Sequence, residues 1–291
     1  MLEGAGREGA GGGMGRGART PAAIVAERSG TLLAALALAQ TLDTEGVHRA
    51  RVASRRLRAA LAAVDGRRSA RAARRVRRIT RGLGPVRELD VARDLLAALA
   101  PALDAADAGA VAGLGKHLTA LRERRAARAL RALPGLARLA SRLGAVTSRL
   151  ALHDERDDAA WAEETSRRMR ARADQFEEAM TRVGDRFAPG RLHRVRVAAK
   201  KLRYAVEVAR GPRRSSLILG LRRAQEILGD LHDLVVLRAL VAGALPETSR
   251  DLRPGLRRLS ALARRECHTL HARYLAERTR LAHCCVVARG S

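Results

Sequence analysis

The sequence predicts an all-α fold, and three observations carry that expectation. Ala, Leu and Arg, all good helix formers, dominate the composition, while Ile, Tyr and Phe are scarce and aromatics make up 2%. Apolar residues recur at helical spacing through long segments bounded by Gly, Pro and Asp signals. A stretch of sequence also returns, in constant register, 145 residues further on.

Taken in order, residues 1–19 are Gly- and Ala-rich without periodicity and read as a flexible tail; Gly11–Gly17 lacks the Lys-Ser/Thr of a P-loop. The segment from Arg28 to Gln40 combines a basic residue, a short apolar run and an Ala-Leu-Ala that resembles a leader cleavage site. Glu3, Glu8 and Glu27 precede it and the run is too short to span a bilayer, so it is expected to be a core helix with no membrane role. Helical segments then follow almost to the end. The expected breaks fall at Asp43–Gly46, Asp65-Gly66, Gly82–Pro85, Pro101, Gly113–Gly115, Pro134-Gly135, Gly184–Gly190, Gly211-Pro212, Gly229-Asp230, Gly243–Pro246 and Pro254-Gly255. Asp154 to Val183 is charged except at Trp161, Met169, Phe176 and Met180, and reads as a long helix opening a second half. The expected organisation is a tail, a first half at 20–151 and a second at 152–288, as two pseudo-symmetric bundles of long helices.

Charge narrows the function classes. Lys+Arg number 57 against 30 Asp+Glu, a net charge of +27, which points to a polyanionic partner. Only Lys116, Lys200 and Lys201 are lysines. The arginine bias suits bidentate phosphate binding, although GC-rich coding would produce it too. Cys267, Cys284 and Cys285 make no disulfide framework, so a reducing, cytoplasmic compartment is expected.

The repeat carries the chemistry. His48–Leu61 aligns without gaps on His193–Val206, with eight of 14 positions identical and two more Arg/Lys exchanges. At the same offset Arg77-Arg78 falls on Arg222-Arg223 and Leu83–Leu95 on Leu228–Leu240. At 100° per residue His48, Arg51, Arg55 and Arg58 share one face while Ala50, Ala53, Leu57 and Val64 lie opposite. The second copy sets His193, Arg196, Lys200 and Arg203 against Val195, Ala198, Leu202 and Ala209. Arg71, Arg74, Arg78 and Arg81 form a further stripe, of which only Arg78 has a basic counterpart, Arg223. Like charges at these spacings cost a few tenths of a kcal/mol per pair. A solvated face is the ordinary reading of one such run; a duplicated His-and-Arg pattern asks for an anion between the stripes.

The pair of His-x-x-Arg-Val-x-x-(Arg/Lys)-(Arg/Lys)-x-Arg segments, each followed by Leu-Gly-x-x-(Arg/His)-(Glu/Asp)-x-x-Val, resembles the CHAD domain family over about residues 20–288. The resemblance implies two four-helix bundles around a basic central pore that binds inorganic polyphosphate, and association with polyphosphate granules. The implied binding residues are His48, Arg51, Arg55, Arg56, Arg58, Arg78, His193, Arg196, Lys200, Lys201, Arg203 and Arg223. The second Leu-Gly segment departs from the pattern, with His232 in place of Arg87 and Val235 in place of Asp90, and those positions are not carried over. Glu88 and Asp233 are expected to pair with and orient an arginine.

No cofactor is expected. Cys267, His271, His283, Cys284 and Cys285 match no usual zinc spacing and read as parts of a packed helix. No paired carboxylates stand in an acid/base arrangement, so the expectation is a binding module; a phosphotransfer or hydrolytic role would need a carboxylate cluster. Nucleic acid is the alternative partner, disfavoured by the few aromatics available for base stacking. Arg122 and Arg138, outside the repeated stripes, are expected to matter much less to binding.

Overall fold

The structure, a computed structural model, describes residues 20–64, 66–133, 135–152, 155–211 and 215–290; the expected tail lies outside them. Among the described residues ten α-helices follow one another, with no strand. Thr20 caps α1 (Pro21–Leu38) by accepting from the Ala23 amide, and Asp43 caps α2 (Thr44–Ala63) by accepting from Glu45 and Gly46. The series continues with α3 (Arg67–Gly82), α4 (Gly84–Leu99), α5 (Ala108–Ala132), α6 (Leu136–Leu150), α7 (Glu155–Val183), α8 (Pro189–Ala209), α9 (Ser216–Ala244) and α10 (Arg253–Arg289).

The offset found in the sequence reappears in the helix boundaries. α1 ends at Leu38 and α7 at Val183; α2 starts at Thr44 and α8 at Pro189; α4 ends at Leu99 and α9 at Ala244; α5 starts at Ala108 and α10 at Arg253, each pair 145 apart. At one place where the two series differ, a proline accounts for it. Pro85, which has no N–H to donate, starts α4 and parts it from α3, whereas Asp230 at the equivalent place lets α9 run on unbroken. The breaks expected at Gly113–Gly115 and Gly229-Asp230 do not occur, since both lie inside helices. A helical glycine costs only about 1 kcal/mol, and buried Leu114, Leu118, Leu228 and Leu231 on either side outweigh it.

The apolar residues gather in three clusters. One joins α1, α2 and α3 with the end of α5 and with α6, through residues such as Val25, Leu57, Val76 and Leu143. Another fills the space among α7, α8, α9 and α10 with Phe176, Leu202, Leu221 and Tyr274. The third, with Leu89, Leu118, Leu237 and Leu259, ties α4 and α5 to the end of α9 and the start of α10. By length and composition Pro21–Thr41 is apolar enough to cross a membrane. Its Ile24, Val25, Leu32 and Leu36 are nevertheless buried in the first cluster, the packing expected of a core helix. Cys267, Cys284 and Cys285 are free and buried, and burial raises each thiol pKa, that of Cys285 to about 12. Among the described residues no His/Cys/Asp/Glu group could hold a metal ion.

Polar clamps fasten the helices at chosen points. Asp107, buried before α5, accepts from Arg258 of α10, and the helices approach so closely there that a Cβ on Gly255 would lie 2.7 Å from the Ala110 side chain. Asp90 of α4, 2% exposed, pairs with Arg122 of α5, which also donates to the Leu42 carbonyl at 2.7 Å. Arg122 thus has a structural role, separate from the expectation that it matters little to binding. Replacing it with Ala strands a buried carboxylate, and chemical denaturation is expected to record a loss of about 3 kcal/mol.

Candidate functional site

α2 packs against α8, α4 against α9, and α7 against both α2 and α8. Where these helices meet they enclose a cavity of about 560 Å³. The reason is compositional: the inner faces of α2 and α8 present long cationic side chains at i, i+3 and i+4, and these hold the helices apart above the apolar contacts. Of the twelve candidate residues eight line the cavity: His48, Arg51, Arg55 and Arg58 from α2, and His193, Arg196, Lys200 and Lys201 from α8.

The remaining four do not. Arg56 Nε and Arg203 Nη1 donate at 3.0 and 2.8 Å to the two oxygens of Glu207, a carboxylate 2% exposed that straps α2 to α8, and the Arg203 guanidinium lies 4.8 Å from the Tyr204 ring centroid. Arg223 pairs with Glu277 at 3.3 Å, and Arg78 is exposed on α3. Other groups line the cavity too: Arg87 from α4 and His232 from α9, the position not carried over from the resemblance, and Arg168 and Arg172 from α7, which sequence reasoning missed. Arg87 and His232 follow Leu-Gly at equivalent positions, so the offset marks them although they differ in type; no repeat signal marks the two α7 arginines.

Nine Arg and Lys residues thus face two carboxylates, Glu88 and Asp233. Asp233 lies 3.7 Å from Arg196, and Glu88 is near enough to Arg51 and Arg196 to favour their charged forms. Neither offsets the whole. Arg196 disfavours the charge of Arg51, its equivalent under the offset, and Arg55 disfavours that of Lys200, likewise equivalent. Burial, then the neighbouring Arg55, pushes Arg51 down to about 10, and burial with Arg196 and Arg55 pushes Lys200 down to about 7. Arg196 Nε is buried without a hydrogen-bond partner.

His193 and His232 bring their Nδ1 atoms to 3.1 Å, so one donates and the other accepts. Burial is the largest cause of the lowered pKa of both His48 and His193, followed by Arg87 for the first and by Arg196 and Lys200 for the second. His232 falls to about 4, chiefly through burial and Arg196. All three are neutral at pH 7 without a ligand.

Gly84, of the first Leu-Gly pair, makes room for a cavity arginine. A Cβ there would sit 2.9 Å from Arg51 Nη1, which donates to the Thr80 carbonyl at 3.1 Å. Gly84→Ala is expected to turn Arg51 out of the cavity and weaken anion binding several-fold, with little change in Tm because the displaced group is the end of a flexible side chain. Isothermal titration beside a melting curve checks both halves of that expectation.

The sequence profile of the CHAD domain matches residues 23–242. The chain belongs to the CHAD domain family. Two solved structures share its CHAD fold. The CHAD domain from the plant Ricinus communis is 24% identical with a TM-score of 0.67, covering 88% of this chain and 90% of that one. PptA from Streptomyces chartreusis is 21% identical with a TM-score of 0.65, covering 90% and 99%. No curated protein matches this CHAD chain in sequence. CHAD is generally a binding module, from a family known for polyphosphate binding, and no catalytic family is identified in this chain.

Proposed function

We propose that this CHAD domain arose by internal duplication and binds inorganic polyphosphate in the basic passage between its halves, 20–151 and 152–288. The observation that carries this reading is the apposition of Arg51 with Arg196 and of Arg55 with Lys200 inside the cavity. Facing cations in a partly buried space destabilise the folded chain, and a polyanion lying between them reverses that balance through charge-assisted, often bidentate contacts and counterion release. The matching helix boundaries support the duplication. Such a site needs no base readout and assigns no catalytic group, so the protein acts as a binder and not as a phosphotransferase or hydrolase.

The direct test is competition at near-physiological salt among labelled long-chain polyphosphate, DNA and RNA. Preference for polyphosphate is expected; stronger binding of either nucleic acid would replace this reading with that of a nucleic-acid-associated protein. We place the protein in the cytoplasm on polyphosphate granules. Co-localisation of a fluorescent fusion with stained granules, absent in cells unable to make the polymer, is the expected result.

A further inference from the structure

α3 carries a feature that the cavity does not absorb. It holds eight arginines in 16 residues and no carboxylate, and all but Arg75 are exposed. Among the described residues none of the eight lies within ion-pair distance of an acidic group. Buried Ala72, Val76 and Ile79 hold the opposite side of the helix against the first core cluster. Side chains at i, i+3 and i+4 are neighbours, so Arg67, Arg71, Arg74, Arg78 and Arg81 form a row of repelling charges roughly 21 Å long.

The row begins where the cavity ends. The last turn of α3 is fastened to α2 beside the cavity, since Arg51 donates to the Thr80 carbonyl and the Ser54 and Thr80 hydroxyls are hydrogen-bonded at 2.7 Å. Arg77 and Arg81 lie close enough to the cavity's Arg58 to disfavour its charge, and Arg77 does the same to Lys201. Among the described residues the corresponding positions form no such face: Ser216 and Leu219 stand in the register where α3 has Arg71 and Arg74, Glu226 stands opposite Arg81, and Arg223 is already paired with Glu277.

We propose that the outer face of α3 is a second stretch of the polyphosphate path, engaged only by chains long enough to leave the cavity past Arg58 and Lys201. This inference rests on the reading of the cavity as a polyphosphate site. It adds a length preference and a single exit side, because among the described residues the row has no counterpart at the offset positions. An unbranched, flexible phosphate chain can follow an enclosed cavity out onto a helix, which a stiff duplex cannot, and α3 offers no aromatic for stacking a single strand.

The test compares the full chain with two variants, Arg71→Gln/Arg74→Gln/Arg78→Gln and Arg77→Gln/Arg81→Gln, in binding short oligophosphates and long-chain polyphosphate over a range of salt. Both variants should melt no lower than the parent, since each removes like-charge pairs. For long polymer the triple variant should lose about tenfold in affinity, with a log–log salt slope shallower by roughly 0.7 per lost contact, as for flexible polyanions. Binding of the short probes to it should be unchanged. Undiminished long-chain binding overturns the inference, and so does an equal loss for short and long probes, which would make α3 a contributor to the cavity's field. Loss of duplex DNA binding with long-chain binding intact assigns the face to nucleic acid instead. If the parent binds neither phosphate probe, the underlying function fails, an outcome distinct from all of these.

Discussion

Changing Arg51 and Arg196 together to Ala should weaken binding of long-chain polyphosphate by a hundredfold or more. Each guanidinium lines the cavity, and Arg196 is 15% exposed with a buried, unpartnered Nε. A charge-assisted contact contributes about 1.5 kcal/mol or more, so losing two costs about 3 kcal/mol, which is a factor above 100. The log–log salt slope should fall with them. Arg138→Ala, at an exposed position on α6, is the proper control, whereas Arg122→Ala would confound binding with stability. Equal losses from Arg138→Ala and from the double variant would mean a diffuse basic surface.

Affinity should also depend on pH, and Lys200 is the main source. Its free pKa is about 7, held down by burial and then by Arg196, Arg55 and Arg51 against the opposing pull of Asp233. A bound polyanion raises it towards the ordinary lysine value near 10.4. Between the two values binding takes up a proton, so affinity should fall by up to about tenfold per unit as pH rises from roughly 7.5 to 9. His48 and His193, lowered from 6.5, add a second and smaller rise in affinity below pH 7. Lys200→Met should remove the upper dependence, and His48→Gln with His193→Gln the lower one. A flat profile above pH 7 in the parent would show that Lys200 stays charged without ligand.

The same lysine couples to stability with a fixed sign. Its folded pKa lies below the unfolded value, so the charged form strains the ligand-free fold, fully below pH 7 and less as pH climbs towards 10. Lys200→Met should therefore raise Tm by a few degrees at pH 6 and by less at pH 9, while losing affinity. A protein made more stable by losing a cavity charge has kept that charge for its ligand.

How much of this was legible in the sequence follows from what periodicity can encode. It gave the faces of α2 and α8, because burial and charge alternate around a helix, and the register gave their equivalence. It could not say what each cation meets. Arg203 shares a stripe with Arg196 and Lys200, yet turns to Glu207 four residues on, a carboxylate that also takes Arg56 from α2. The α7 arginines reach the cavity only because α7 crosses both α2 and α8, a tertiary fact. The departure at Val235 also has a physical account. Its equivalent Asp90 pairs with Arg122, whereas Val235 packs on the second core cluster, in which the equivalent of Arg122, Cys267, is fully buried. The α4–α5 contact is held there by an ion pair and the α9–α10 contact by apolar packing, so neither position serves as an anion ligand.

The burial of all three thiols has a practical consequence. With raised pKa values and almost no surface, Cys267, Cys284 and Cys285 present negligible thiolate at neutral pH, so alkylating reagents and mild oxidants should pass over the folded chain. A cysteine introduced at the exposed position of Arg138 would then be the one group to accept a maleimide dye, without any native cysteine being replaced.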